Sequence, residues 1–305
     1  MDKSTVIREH MWEDVRMYEI FVDVSVDIDP EFARENHVRY VPMEYMIGEE
    51  VHHCNEPESF EELHKYYDRL RDKIPTKTSQ ITPFQYVEVF EDLVRQKTEI
   101  LYLSLSGGLS NTYESANLAV RMLSEDYNDV AIEVVDSFGA TGGMGLLVES
   151  ACKNRAAGMS LQENAEWLRA NAKKVNYYFK VEDLMYLKRG GRVSAATAIV
   201  GTALDIKPIL NIDATGHLAT VAKKRGRKLA IKYLVDMFRD LSDMSIDNTV
   251  YICGSDCVAD EEILKKMILE ICPEANIRIT SLSPIIGAHT GPDMVAVIFY
   301  GKERV

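Results

Sequence analysis

Residues 99–123 hold the feature that most narrows the choice of fold. An apolar run at 100–105 is followed by L-S-G-G-L-S-N-T-Y at 105–113. Next comes a stripe of Ala116, Leu118, Ala119 and Leu123 at helical spacing. A buried strand that ends in glycines and hydroxyls and runs into a helix is the building unit of an open α/β sheet. The loop between the two is where such sheets hold ligands. Glycine lets backbone N–H groups approach a ligand closely, and the helix start offers free N–H groups and a positive dipole end. Taken alone, such a loop is more often a plain connection.

The same alternation continues along the first half. Extended apolar runs are expected at 18–24 and 38–47, helices at 83–96, 112–124, 139–155 and 161–172, and strands at 100–105 and 130–135. Strands alternating with helices predict parallel pairing through right-handed crossovers. After residue 174 the pattern changes. Strands at 206–212 and 217–222 flank D-A-T-G at 213–216, which reads as a hairpin turn. Further strands are expected at 175–181, 248–253, 276–281 and 294–300, and helices at 183–188, 195–204, 227–242 and 259–270. The fold class is therefore α/β with two different α/β domains, at 18–174 and 175–305, after an extension at 1–17. The extension is charged and lacks the apolar core of a secretory signal.

Composition limits function. The chain has 305 residues and a formal net charge of -13, which argues against nucleic acid as a partner. No apolar run approaches the roughly 18 residues of a membrane span. Five scattered cysteines fit reduced thiols and a cytoplasmic location. Cys253 and Cys257 stand as C-x3-C without a nearby histidine, a poor metal pattern, and read better as a buried strand end. The histidines at 10, 37, 52, 53, 64 and 217 read as surface or packing.

Two further segments stand out, K-T-S-Q-I-T-P at 77–83 and I-G-A-H-T-G-P at 286–292. In the first, Thr82 reads as a helix cap with Pro83 at the first helical position, which leaves Thr78 and Ser79 unexplained. In the second, His289 reads as a loop histidine. With D-V-S-V-D at 23–27, V-P-M at 41–43, Asp136 and Ser137 with the glycines to Gly145, L-K-R-G-G-R-V-S at 187–194, I-K-P-I-L at 206–210 and K-R-G at 224–226, the chain resembles the DegV family of bacterial fatty-acid-binding proteins.

That resemblance implies a three-layered first domain with a parallel sheet and a two-layered second domain with a mixed sheet. It also implies a non-enzymatic role. A long-chain fatty acid is bound in a buried pocket, no cofactor is needed, and the carboxylate is presented to the catalytic subunit of a fatty acid kinase. On the family pattern the carboxylate is held by Thr78 and Ser110, with Ser79, Ser106, Gly107 and His289 around it and Arg192 near the pocket mouth. Arg225 belongs to a small basic patch for docking the kinase. Asp23, Ser25 and Asp27 are expected in loop and helix capping, and Asp136 in shaping the pocket floor or capping the next helix. Val24, Gly107, Asn111 and Asp293 depart from the family pattern. Asn111 is expected to keep the loop by tolerating a left-handed backbone. Asp293 would weaken carboxylate binding if it faced the pocket. The alternative is an enzyme with Ser106 or Ser110 as nucleophile and His289 as base, a serine hydrolase or a subunit like those of dihydroxyacetone kinases. No G-x-S-x-G elbow supports it.

Overall fold

In the computed structural model, residues 18–194 and 205–305 are described. The expected extension at 1–17 and the helix expected at 195–204 lie outside them. The first half is built on a parallel sheet of β1 (Glu19–Asp23), β2 (Val38–Val41), β6 (Ile100–Ser104) and β7 (Ile132–Asp136), in the order β2-β1-β6-β7. Every residue of β6 is buried, as a central parallel strand covered on both faces requires. The covering helices include α1 (Pro30–Glu35), α3 (Pro83–Arg95), α4 (Thr112–Asp126), α5 (Thr141–Ala156) and α6 (Leu161–Asn171). The chain leaves β1 towards β2 on one side, and β6 lies on the other. The crevice at the carboxyl ends of β1 and β6 is thus the switch point of this sheet.

The run expected at 38–47 is two strands, not one. Pro42 has no N–H to give a ladder, and the chain changes sheets there. Beyond it, β3 (Met43–Ile47) joins β4 (Glu50–Cys54) and β5 (Thr76–Ser79) in a separate antiparallel sheet, ordered β4-β3-β5. Between β4 and β5 runs α2 (Phe60–Arg71), with a capping box of Ser59 and Glu62.

The second half carries a mixed sheet of β8 (Val175–Lys180), β9 (Ile206–Ile212), β10 (Leu218–Arg225), β11 (Thr249–Gly254), β12 (Asn276–Ser281) and β13 (Val295–Tyr300). Its order is β10-β9-β8-β13-β11-β12. Only β11 and β12 pair in parallel. The hairpin at 213–216 forms as expected: Asp213 accepts from the Thr215 N–H, and Gly216 takes φ +81°. The period-2 alternation of β13 divides its side chains between two cores. Val295, Val297 and Phe299 pack with α8 (Arg227–Leu241) and α9 (Val258–Ile271). Ala296 and Ile298 face the other way, with Tyr177 and Phe179 of β8, into the core that includes the parallel sheet.

The glycines at the start of α5 explain how closely the halves meet. A Cβ on Gly143 would stand 2.1 Å from the Tyr177 ring, and one on Gly142 2.6 Å from the Cys253 sulfur. Side chains there would push the helix off the mixed sheet.

Candidate functional site

Where the pocket-facing side of the mixed sheet meets the loop after β6 there is a cavity of about 400 Å³. Its inner wall is apolar, with Phe179, Ile212, Leu218, Ala296 and Ile298 from the sheet and Leu105 from the loop. Thr78, Ser79, Ser110, Arg192 and His289 supply polar groups to the lining.

Two carboxyl groups, Asp23 fully buried and Asp136 partly buried, fix the loop after β6. Asp23, at the end of β1, accepts from the Leu105 N–H at 2.8 Å, the Tyr102 hydroxyl at 3.0 Å and the Ser25 N–H at 3.1 Å. Asp136, at the end of β7, accepts from the N–H groups of Gly107 and Phe138 at 3.2 and 2.7 Å. Burial raises the pKa of both carboxyls, against the lowering effect of these bonds. The loop is also tied to the second half. Ser106 Oγ donates to the Gly216 carbonyl at 3.0 Å. Gly108 lies so close to that turn that a Cβ would stand 2.6 Å from the Gly216 carbonyl carbon. Asn111 then begins α4 with φ -74°, so its right-handed backbone needs no left-handed tolerance.

Ser110 lies just before that helix. Its Oγ is 2.7 Å from Thr112 Oγ1 and accepts from the Thr112 N–H at 3.3 Å. Thr78 comes from β5, opposite Tyr45 of β3. The segment 77–83 is therefore partly strand, and only its end is helix entry. Thr82 caps α3 as expected, and it forms a capping box with Gln85.

His289 sits in the last turn of α10 (Pro284–Thr290), not in a loop. Pro284 occupies the start of this short helix, and Gly291 follows its end with φ +76°. His289 Nε2 is 2.9 Å from Thr78 Oγ1. Its Nδ1 is buried without a partner, against Gly190, where a Cβ would stand 2.1 Å away. Burial, and secondarily the positive charge of Arg192, lowers its pKa to about 4, so the imidazole is neutral at pH 7.

Arg192 is placed by the end of α7 (Met185–Arg189). Gly191 takes φ +75°, its N–H reaches the Lys188 carbonyl, and the Arg192 N–H reaches the Leu187 carbonyl. This is a Schellman end that needs glycine at the left-handed position. Arg192 Nε donates to the Leu109 carbonyl at 3.1 Å, and the Nη1 group donates to the Gly190 carbonyl. A guanidinium is thus held half-buried beside the neutral histidine.

The profile of the DegV family, described as an uncharacterised protein family, matches residues 17–302. A DegV domain-containing protein of Clostridium perfringens is 36% identical over 293 residues, which are 95% of this chain and 99% of that one. The chain belongs to the DegV family. Its fold is that of a DegV lipid binding protein from Thermotoga maritima, with a TM-score of 0.80, 25% identity, and coverage of 94% of this chain and 99% of that one. It is also that of the Streptococcus pneumoniae fatty acid kinase B3 protein loaded with linoleic acid. There the TM-score is 0.80 at 22% identity, covering 94% of this chain and all of the other.

Within this DegV chain, Thr78, Ser79, Gly107, Ser110, Arg192 and His289 all line this cavity. Ser106 does not. It is fully buried, and its hydroxyl serves the Gly216 carbonyl and the Gly108 N–H. Arg225 is exposed at the end of β10 and does not line the cavity. Asp293 turns away from the lining, and its carboxylate pairs with Arg71 at 2.9 Å. Asp27 accepts from the Ser283 N–H at 2.8 Å, across the two halves. No helix among the described residues is long and apolar enough to cross a membrane. Sequence reasoning missed Gln80 and Leu109, which also line the cavity. It read Asp23 as a local cap and missed that this carboxyl braces the loop after β6.

Proposed function

We propose that this protein binds a long-chain fatty acid in the cavity between the mixed sheet and the loop after β6. The observation that carries the reading is an apolar cavity whose polar lining presents neutral donors. A cavity of this size falls in the usual range for small-molecule sites, roughly 300–1,000 Å³. The acyl chain lies along the sheet wall, at about 0.8 kcal/mol per buried methylene.

The carboxylate is received by Thr78 and Ser110. With its proton on Nε2, His289 donates to Thr78 Oγ1, which leaves the Thr78 hydroxyl proton free for the ligand. The opposite tautomer would bury an N–H at Nδ1 with no acceptor, the costlier arrangement. In the same way Thr112 supplies bonds to Ser110 Oγ, whose own proton then points to the ligand. Two hydroxyls bind a carboxylate without burying an ammonium beside it. Arg192 lines the same cavity and would add a charge-assisted bond to the headgroup, or to a phosphoryl group transferred to it.

The kinase step belongs to a partner. The lack of a G-x-x-x-x-G-K-[ST] phosphate loop agrees with ATP being held elsewhere and with this protein acting as the lipid-presenting subunit. The Streptococcus pneumoniae neighbour supports that reading, and Arg225 remains the proposed docking residue. The hydrolase alternative is weaker. His289 Nε2 meets Thr78 rather than a serine, and no carboxylate among the described residues orients Nδ1. The test is calorimetric titration of delipidated protein with oleate. Saturable one-to-one binding that falls at least about tenfold in Thr78→Val and in Ser110→Ala supports the assignment. Unchanged affinity in both variants would overturn it.

A further inference from the structure

The donors around the lipid cavity outnumber what a carboxylate needs. Thr78 and Ser110 already give each carboxylate oxygen a hydroxyl. Ser79, Gln80 and Asn111 also line the cavity, are exposed, and make no side-chain hydrogen bond among the described residues. Arg192 lines it too. Its Nε and Nη1 groups are spent on the Leu109 and Gly190 carbonyls, which leaves Nη2 without a partner among the described residues. Burial lowers the Arg192 pKa, and no carboxylate opposes that effect. A half-buried guanidinium without an anion beside it is costly, and an anionic ligand relieves the cost.

Asn111 gives this surplus a direction. Two structural roles would explain an asparagine at this departure from the family pattern. One is a left-handed backbone, but φ is -74°. The other is a helix cap, but its side chain makes no cap hydrogen bond, and the Ser110 hydroxyl takes the Thr112 N–H instead. What remains is an exposed amide on the cavity lining. It follows Ser110 directly and lies two residues beyond the Leu109 carbonyl that holds Arg192.

We infer that Asn111 and Arg192 form an outer subsite that holds the phosphoryl group of an acyl phosphate. The inference rests on the fatty-acid reading of the cavity. In the kinase step a carboxylate oxygen bonds to the γ-phosphorus of ATP while the bond to ADP breaks. The new phosphoryl group therefore sits on the outward side of the carboxylate, and it brings three acceptor oxygens and added negative charge. Arg192 Nη2 donates to one of these oxygens with charge assistance, and the Asn111 amide donates to another. The product is thereby held more tightly than the fatty acid.

The test is calorimetric titration of delipidated protein with palmitate and with the β-ketophosphonate analogue of palmitoyl phosphate, in which CH₂ replaces the bridging oxygen and prevents hydrolysis. The wild-type protein is expected to bind the analogue at least about tenfold more tightly than palmitate. Asn111→Gly breaks no cap bond. It should remove most of that preference and leave palmitate affinity within about twofold. Asn111→Asp keeps the size of the side chain and should reverse the preference, because its carboxylate repels a phosphonate dianion more than a single carboxylate charge. Equal wild-type affinity for the two ligands, or a preference that Asn111→Gly leaves intact, would overturn the subsite while palmitate binding stands. Failure to bind palmitate would instead remove the fatty-acid reading, and this inference with it.

Discussion

His289 is held neutral by burial and by Arg192, and that has a measurable signature. Its pKa is lowered to about 4 from the usual 6.5. Below about pH 6.5 the unfolded chain takes up a proton that the folded chain refuses, so this group withdraws stability as pH falls towards 4. Over that window the loss amounts to about 3 kcal/mol. Proton titration by NMR should find the His289 ring neutral at pH 5, and His289→Gln should flatten the acid limb of the stability curve. A His289 pKa near 6.5 would contradict the geometry. At this scale the site was readable through the family resemblance: Thr78, Ser110 and His289 were singled out by their motifs, and the structure brings them to one cavity. Ser106 was not separable from Ser110, because both are loop serines and only the fold turns one onto the Gly216 carbonyl. Ser106→Ala should therefore act on stability, by about 1 kcal/mol, and not on ligand affinity. Paired melting and oleate titrations would distinguish these.

Among the elements, those with strong periodicity were found within a few residues, including the hairpin of β9 and β10 and the long helices α8 and α9. The misses have physical causes. Residues 286–292 carry two glycines and a proline and read as loop. The proline starts helices as readily as it ends them, and Pro284, just upstream, begins α10. The run at 38–47 looks continuous in hydropathy, yet Pro42 divides it between two sheets. Helix α2 was legible and overlooked: Ser59 and Glu62 form its box, and Leu63, Tyr66, Tyr67 and Leu70 form its buried face. Nothing in the sequence shows that the α5 glycines exist for contact with Tyr177 and Tyr251, since that contact joins distant segments. Gly143→Ala should lower stability by about 1–3 kcal/mol through overpacking against Tyr177. Urea unfolding would measure it, and a neutral result would contradict the close approach.

On the scale of the whole molecule, buried and exposed ions tie the halves together. Arg304 donates to the carbonyls of Phe138, Ala172 and Lys173 on one side and of Ile212 and Asp213 on the other. Arg304→Met strands those acceptors and should cost on the order of 3 kcal/mol. Lysine should restore little of it, because a point charge cannot reproduce the planar fork. On the surface, Arg71 bridges Asp256 and Asp293, and His64 Nδ1 stands 2.9 Å from Asp256. The hydrogen bond to Asp256 raises the His64 pKa. None of these pairings is visible in sequence, where partners lie more than ninety positions apart. Composition and alternation carried the α/β class, the resemblance carried the site residues, and the cavity itself came from the meeting of two sheets.

The most direct measurement is native and then denaturing mass spectrometry of the protein purified from a bacterial host. The account predicts one fatty acid per chain, released on denaturation and absent from the Thr78→Val, Ser110→Ala double variant. A protein that arrives without lipid and refuses added long-chain fatty acids would contradict it.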